Sequence, residues 1–134
     1  MPRVVSMHFS RLCALQIDCQ VSDLDDAANF WARALGRPVD VDHPGSRGAY
    51  RMLAILPDEV NVQIQRVNHE SRVHIDIETD NIPAEVARLE SLGATLEQYV
   101  EDWIVMRAPS GQRFCVVPVI RPGFATNANR WGNE

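Results

Sequence analysis

Apolar and polar residues alternate along "LCALQIDCQV" (Leu12 to Val21), which predicts a strand. Leu15, Ile17, Cys19 and Val21 share one face, and Gln16, Asp18 and Gln20 share the other. The period then lengthens. In "SDLDDAANFWARALG", Leu24, Ala27, Ala28, Trp31, Ala34 and Leu35 recur at helical spacing, so one stripe packs on a sheet. Ser22 or Asp23 caps that helix, acids fill its first turn and Gly36 ends it. "RPVDVDHPGSRG" reads as a short strand and a Pro/Gly loop, and "AYRMLAIL" as a strand. "VNVQIQRV" alternates again, Val60, Val62 and Ile64 opposing Asn61, Gln63 and Gln65.

The order then recurs. "RVHIDIET" is a strand, and "NIPAEVARLESLG" a helix with Asn81 as cap and Gly93 as stop. "ATLEQYV", "DWIVMRA" and "QRFCVVPV" are strands, the last two joined by the turn "PSG". "IRPGFATNANRWGNE" is rich in Asn and Gly and reads as irregular. Aligning Gln16 with His74 puts Asp18 on Asp76 and brings the two helix-ending Leu-Gly pairs within one residue of each other. Aligning the turns "PDEVNVQ" and "PSGQRFC" puts Gln63 on Cys115. The chain therefore reads as two βαβββ modules, 12–67 and 72–119, with an N-terminal extension (1–11) and a C-terminal tail (120–134).

Composition narrows the partners. At 134 residues the chain is one compact domain by default, and 46% hydrophobic with 23% charged residues is a globular composition. A net charge of −5 argues against nucleic acid or an anionic membrane as partner, because both select basic surfaces. No apolar run approaches the ~20 residues of a membrane span, and "MPRVVSMHFSRLCALQ" is a poor signal peptide. Cys13, Cys19 and Cys115, an odd count without C-x-x-C, fit a reducing cytoplasm.

Asp23-Leu24, Phe30-Trp31 and Leu35-Gly36, then "HIDI", "LESLGATL" and "APSGQRFCV", resemble in order and spacing the vicinal oxygen chelate superfamily of glyoxalase and bleomycin-resistance proteins. The match is nearest to its glyoxalase-like domain branch and covers Leu12 to Pro118. The resemblance implies an α+β fold in which the two modules form a cup-shaped mixed sheet with the helices outside. It also implies four inward positions that hold a divalent cation in the metal-dependent members. Carried over, these are Gln16, Gln63, His74 and Cys115, with Gln65 as the substitute for Gln63.

That donor set fits a cation poorly. Zinc prefers imidazole, thiolate and carboxylate, and nickel and iron favour imidazole with carboxylate. The quartet offers one imidazole, one thiol and two neutral amides. The expectation is therefore a small-molecule-binding protein without the usual metal, whether zinc, nickel, manganese or iron. The alternatives are a metal-dependent lyase, isomerase or dioxygenase of the glyoxalase type, and a dimeric regulatory or interaction module. Strand alternation puts Asp18 on the face of Gln16 and Asp76 on that of His74, so either carboxylate is a candidate general base. His74, Tyr50 and Trp103 are candidate ligand-binding residues. The resemblance further implies a homodimer, and no nucleic acid or membrane partner is expected.

Overall fold

The computed structural model describes residues 6–132, so the first five residues of the N-terminal extension and the last two of the tail lie outside the described residues. The chain divides into two compact units, one Ala14–His74 and the other the described residues up to 13 with those from 75 onward. The divisions fall inside the strands β1 (His8–Cys19) and β4 (Arg72–Thr79).

The unit Ala14–His74 holds the second half of β1, α1 (Leu24–Leu35), β2 (Tyr50–Met52) and β3 (Asn61–Arg66). The expected helix is present with both ends as read. The Asp23 carboxylate accepts from Asp26 N–H at 3.2 Å, and Gly36 closes the helix in the left-handed region at φ 68°. β1 and β3 run parallel, Gln16 beside Gln63, and β2 pairs antiparallel with β3. One face of this sheet is apolar. Ile17, Cys19, Val62, Ile64 and Leu53 bury against Leu24, Ala28 and Ala32 of α1, with Trp31 partly buried alongside. Alternation then sends the polar residues of β1 and β3 to the opposite face. The strand expected in "RPVDV" is a single bridge, Val39 to Leu53, because Pro38 and the loop beyond Asp40 leave no further residues to pair.

The other unit repeats the order with α2 (Ile82–Ser91), β5 (Thr95–Val100), β6 (Trp103–Arg107) and β7 (Arg113–Pro118). Its strands run in the order β4–β7–β6–β5. Asn81 caps α2 by accepting from Ala84 N–H at 3.1 Å. Val86 and Leu89 of the helix pack on Ile104, Met106, Phe114 and Val116. Two further findings depart from the sequence reading. β1 begins at His8, not Leu12, and the tail is ordered as α3 (Phe124–Asn127) and β8 (Asn129–Trp131), which pairs antiparallel with His8–Ser10. Buried polar residues explain both. His8 Nε2 lies 2.7 Å from Glu85 Oε1, Arg88 grips Glu85 with both nitrogens at 2.8 Å, and the Trp131 indole donates to Ser10 Oγ at 2.8 Å. Arg88 also stacks on the Trp131 ring.

Among the described residues no helix is long and apolar enough to cross a membrane.

Candidate functional site

The polar face of the unit Ala14–His74 is a lattice set by strand register. Asp18, Gln65 and Tyr50 form one row across β1, β3 and β2, and Gln16, Gln63 and Met52 form the next. In the third row Ala14 stands beside Asn61. Leu53 N–H donates to Val62 C=O at 3.0 Å, so one further step of the same register brings Ala54 to the other side of Asn61.

Hydrogen bonds fix the amides. Gln63 Nε2 donates to the Gly45 carbonyl at 2.7 Å. A carbonyl only accepts, so this contact decides which end of the amide is nitrogen. Gln63 Oε1 is thereby turned toward β1, where it accepts from Gln16 Nε2 at 2.6 Å. Gly45 makes this approach feasible, since a Cβ there would stand 2.9 Å from Gln63 Nε2 and 3.0 Å from the Met52 methyl. In the next row Gln65 Nε2 donates to the Tyr50 hydroxyl at 3.0 Å.

Asp18 and His74 are hydrogen-bonded to each other in this unit. Asp18 is buried, and its Oδ2 accepts from His74 Nδ1 at 2.7 Å, with Arg72 Nε 3.8 Å away. An ionised carboxylate only accepts, so it holds the ring proton on Nδ1 and makes Nε2 the basic atom. Asp18 Oδ1 is buried with no hydrogen-bond partner among the described residues. Burial, and then the Asp18 charge, push the neighbouring Cys19 thiol up, which keeps it protonated and inert.

In the other unit, Asp76 stands opposite Cys115 on β7, and Cys115 opposite Val105 on β6. Trp103, two residues before Val105, shares that side by alternation. The two registers differ. Gln16 faces Gln63, whereas Asp76, the counterpart of Asp18, faces Cys115, so Cys115 corresponds in register to Gln65. Glu78, two residues beyond Asp76, is fully buried and holds the tail. Its Oε2 accepts from Arg11 Nε at 2.6 Å, and its Oε1 from Ile120 and Arg121 N–H at 2.7 and 2.8 Å. Cys13 is buried as well. Burial, reinforced by the Glu78 charge, drives its thiol far above the ordinary range. Alternation from Asp76 marks Glu78 as polar and inward, but its partners lie in the tail, where sequence pattern is silent.

A family model described as "Glyoxalase-like domain" matches residues 14–117. The chain belongs to this family. This match accords with the resemblance to the vicinal oxygen chelate superfamily carried by the sequence. No curated protein matches the domain. It is similar to homoprotocatechuate 2,3-dioxygenase from Brevibacterium fuscum at 14% identity and a TM-score of 0.61. That likeness covers 90% of the domain and 40% of the dioxygenase, so the domain spans well under half of that enzyme's length. It is also similar to Streptomyces coelicolor methylmalonyl-CoA epimerase, at 15% identity and a TM-score of 0.53, covering 83% of the domain and 99% of the epimerase. At such identities the likeness shows the fold alone.

Gln16 and Gln63 do not fit the family's cation. The Gln63 oxygen that would coordinate is occupied by the Gln16 amide, and the Gln63 nitrogen is held by Gly45. Cys115 offers a thiol and no carboxylate.

Proposed function

We propose that the domain binds a small organic molecule against the polar face of β1, β2 and β3, without the family's usual metal set. The observation that carries this reading is the Gln63 amide, which spends its oxygen on Gln16 and its nitrogen on Gly45. Two neutral amides bonded to one another form a binding floor rather than half a coordination sphere. Tyr50 and Met52 supply apolar surface to the same face, as small-molecule sites require. The Asp18–His74 pair is the proton-handling group of the site. The carboxylate keeps hydrogen on Nδ1, so Nε2 takes a proton or a hydrogen bond from the ligand. The three cysteines without C-x-x-C favour a reducing cytoplasm, and the family resemblance favours a homodimer, which light scattering tests.

One observation favours a second reading, a metal-dependent lyase or isomerase. A carboxylate on the far nitrogen of an imidazole is also the arrangement that orients metal-bound histidines. Elemental analysis of the purified protein, followed by titration with Ni²⁺, Zn²⁺, Mn²⁺ and Fe²⁺, separates the two. Metal-free ligand binding predicts no stoichiometric uptake. Stoichiometric, chelator-sensitive metal that disappears in His74→Ala would overturn it in favour of the second reading.

A further inference from the structure

Both ring nitrogens of His8 meet acceptors. Nδ1 lies 2.6 Å from the Ser6 carbonyl oxygen, and Nε2 lies 2.7 Å from Glu85 Oε1. A carbonyl only accepts. Glu85 only accepts as well, because Arg88 donates to both of its oxygens at 2.8 Å and arginine has no acceptor to receive a carboxyl proton. A neutral imidazole has one N–H, so it would turn a lone pair on one of these two oxygens. Turning the ring over would not relieve this. Ring carbons would then stand at about the same short distances, inside the ~3.3 Å of the closest C–H···O contacts. His8 is buried, so its ring does not reach solvent instead.

The charged groups on the elements packed against His8 are few. Glu85 and Arg88 come from α2. Arg130 of β8 stands opposite Phe9 in register, and Asp80, just after β4, accepts from Phe9 N–H at 2.9 Å. Arg88 opposes a second cation, but its guanidinium is committed to Glu85 and to the Trp131 ring. Ser6, His8, Glu85, Arg88 and Trp131 belong to one unit, and none of them to the unit that carries the ligand face.

We propose that His8 is a proton-operated latch: as an imidazolium it ties the Ser6 carbonyl, at the entry to β1, to Glu85 of α2, and loss of one proton releases Ser6 alone. The proton that leaves to solvent is the one on Nδ1, because a carboxylate holds the Nε2 hydrogen more strongly than a neutral carbonyl holds the other. Lone pairs on Nδ1 and on the Ser6 oxygen then oppose each other, and the segment moves off. Nothing else need open. Nε2 still donates to Glu85, Arg88 still holds both carboxylate oxygens, and the Trp131 indole still donates to Ser10. A proton held through contacts of the closed form favours that form at lower pH. The latch is therefore shut on the acid side, wherever Glu85 stays ionised, and opens as pH rises.

The test is a pH titration from 6 to 9 of the ¹⁵N-labelled full chain. It follows the ring nitrogens of His8, assigned by replacing His43, His69 and His74 in turn with Gln. It also follows the Met7 N–H, which shares a peptide plane with the Ser6 carbonyl, and the Trp131 indole N–H. Both ring nitrogens of His8 should carry hydrogen at a pH where exposed His69 has lost one of its two. The Met7 resonance should then move with the same one-proton midpoint as the His8 ring, while the Trp131 indole stays where it is. His8→Gln should lack the Met7 transition, and if that variant does not fold, the ring and Met7 resonances of the unsubstituted protein decide. A His8 ring that titrates with His69, or that keeps both protons throughout the range, overturns the proposal. So does a Met7 resonance that ignores the His8 titration, or a transition that survives in His8→Gln. Trp131 moving together with Met7 overturns it too, because the release would then extend to β8.

Discussion

Gln63 is oriented by a residue that has no side chain. The Gly45 carbonyl holds its nitrogen, and any Cβ at position 45 would collide with that nitrogen and with Met52. Gly45→Ala should therefore displace the Gln63 amide, break its bond to Gln16 and cost about 1 kcal/mol, the worth of the lost hydrogen bond, read as a lower denaturation midpoint. The thiols differ in the same residue-by-residue way. Burial raises Cys13 and Cys19, whereas Cys115 is only partly buried. A disulfide reagent at neutral pH should label Cys115 first and the other two only as the protein opens. At this scale alternation made Gln16, Asp18, Gln63 and Gln65 legible as one polar set, and it made Asp18 and His74 candidates for a cluster. It could not show that Gln63 turns its oxygen to Gln16, because that depends on a loop glycine 18 residues away.

The elements show where pattern fails. Both helices were legible with their caps, because capping is local chemistry: Asp23 and Asn81 accept from residues three further on. Alternation starts the first strand at Leu12, four residues late. His8 and Ser10 are polar by letter but buried in fact, and their partners Glu85 and Trp131 lie 77 and 121 residues away. For the same reason the tail read as irregular, although β8 pairs with β1. Glu85 anchors this arrangement. Burial alone would raise its carboxyl, but hydrogen bonds from Arg88, His8 and Ser10 outweigh it and hold the group below the ordinary carboxylate range. A depressed folded-state value means that stability is present above the unfolded-state value and is lost as pH falls through the folded one. Melts from pH 7 to pH 3 should show this loss on the acid limb, and Glu85→Gln should flatten it. At pH 7 the same substitution should cost about 3 kcal/mol, because it leaves Arg88 without its counter-charge.

At the scale of the whole molecule, the duplicated βαβββ order was readable because each module switches period from two to 3.6 and back at the same places. Family membership and the glyoxalase-like fold follow that order, not any single motif. What the order did not carry is register. Gln16 faces Gln63 in one unit, while Asp76 faces Cys115 in the other, a two-residue difference invisible to an alignment made on turns. Within the unit Ala14–His74, the hydrogen bond between Gln16 and Gln63 sets the amide pair against holding a metal. The most direct measurement follows the side-chain amide resonances of Gln16 and Gln63 in ¹⁵N-labelled protein as Zn²⁺ is added. Both pairs of resonances should stay where they are at one equivalent of metal, because Gln63 is held by Gln16 at its oxygen and by Gly45 at its nitrogen. Stoichiometric shifts of both, reversed by chelator and lost in His74→Ala, would show the two glutamines acting as ligands and would contradict the account.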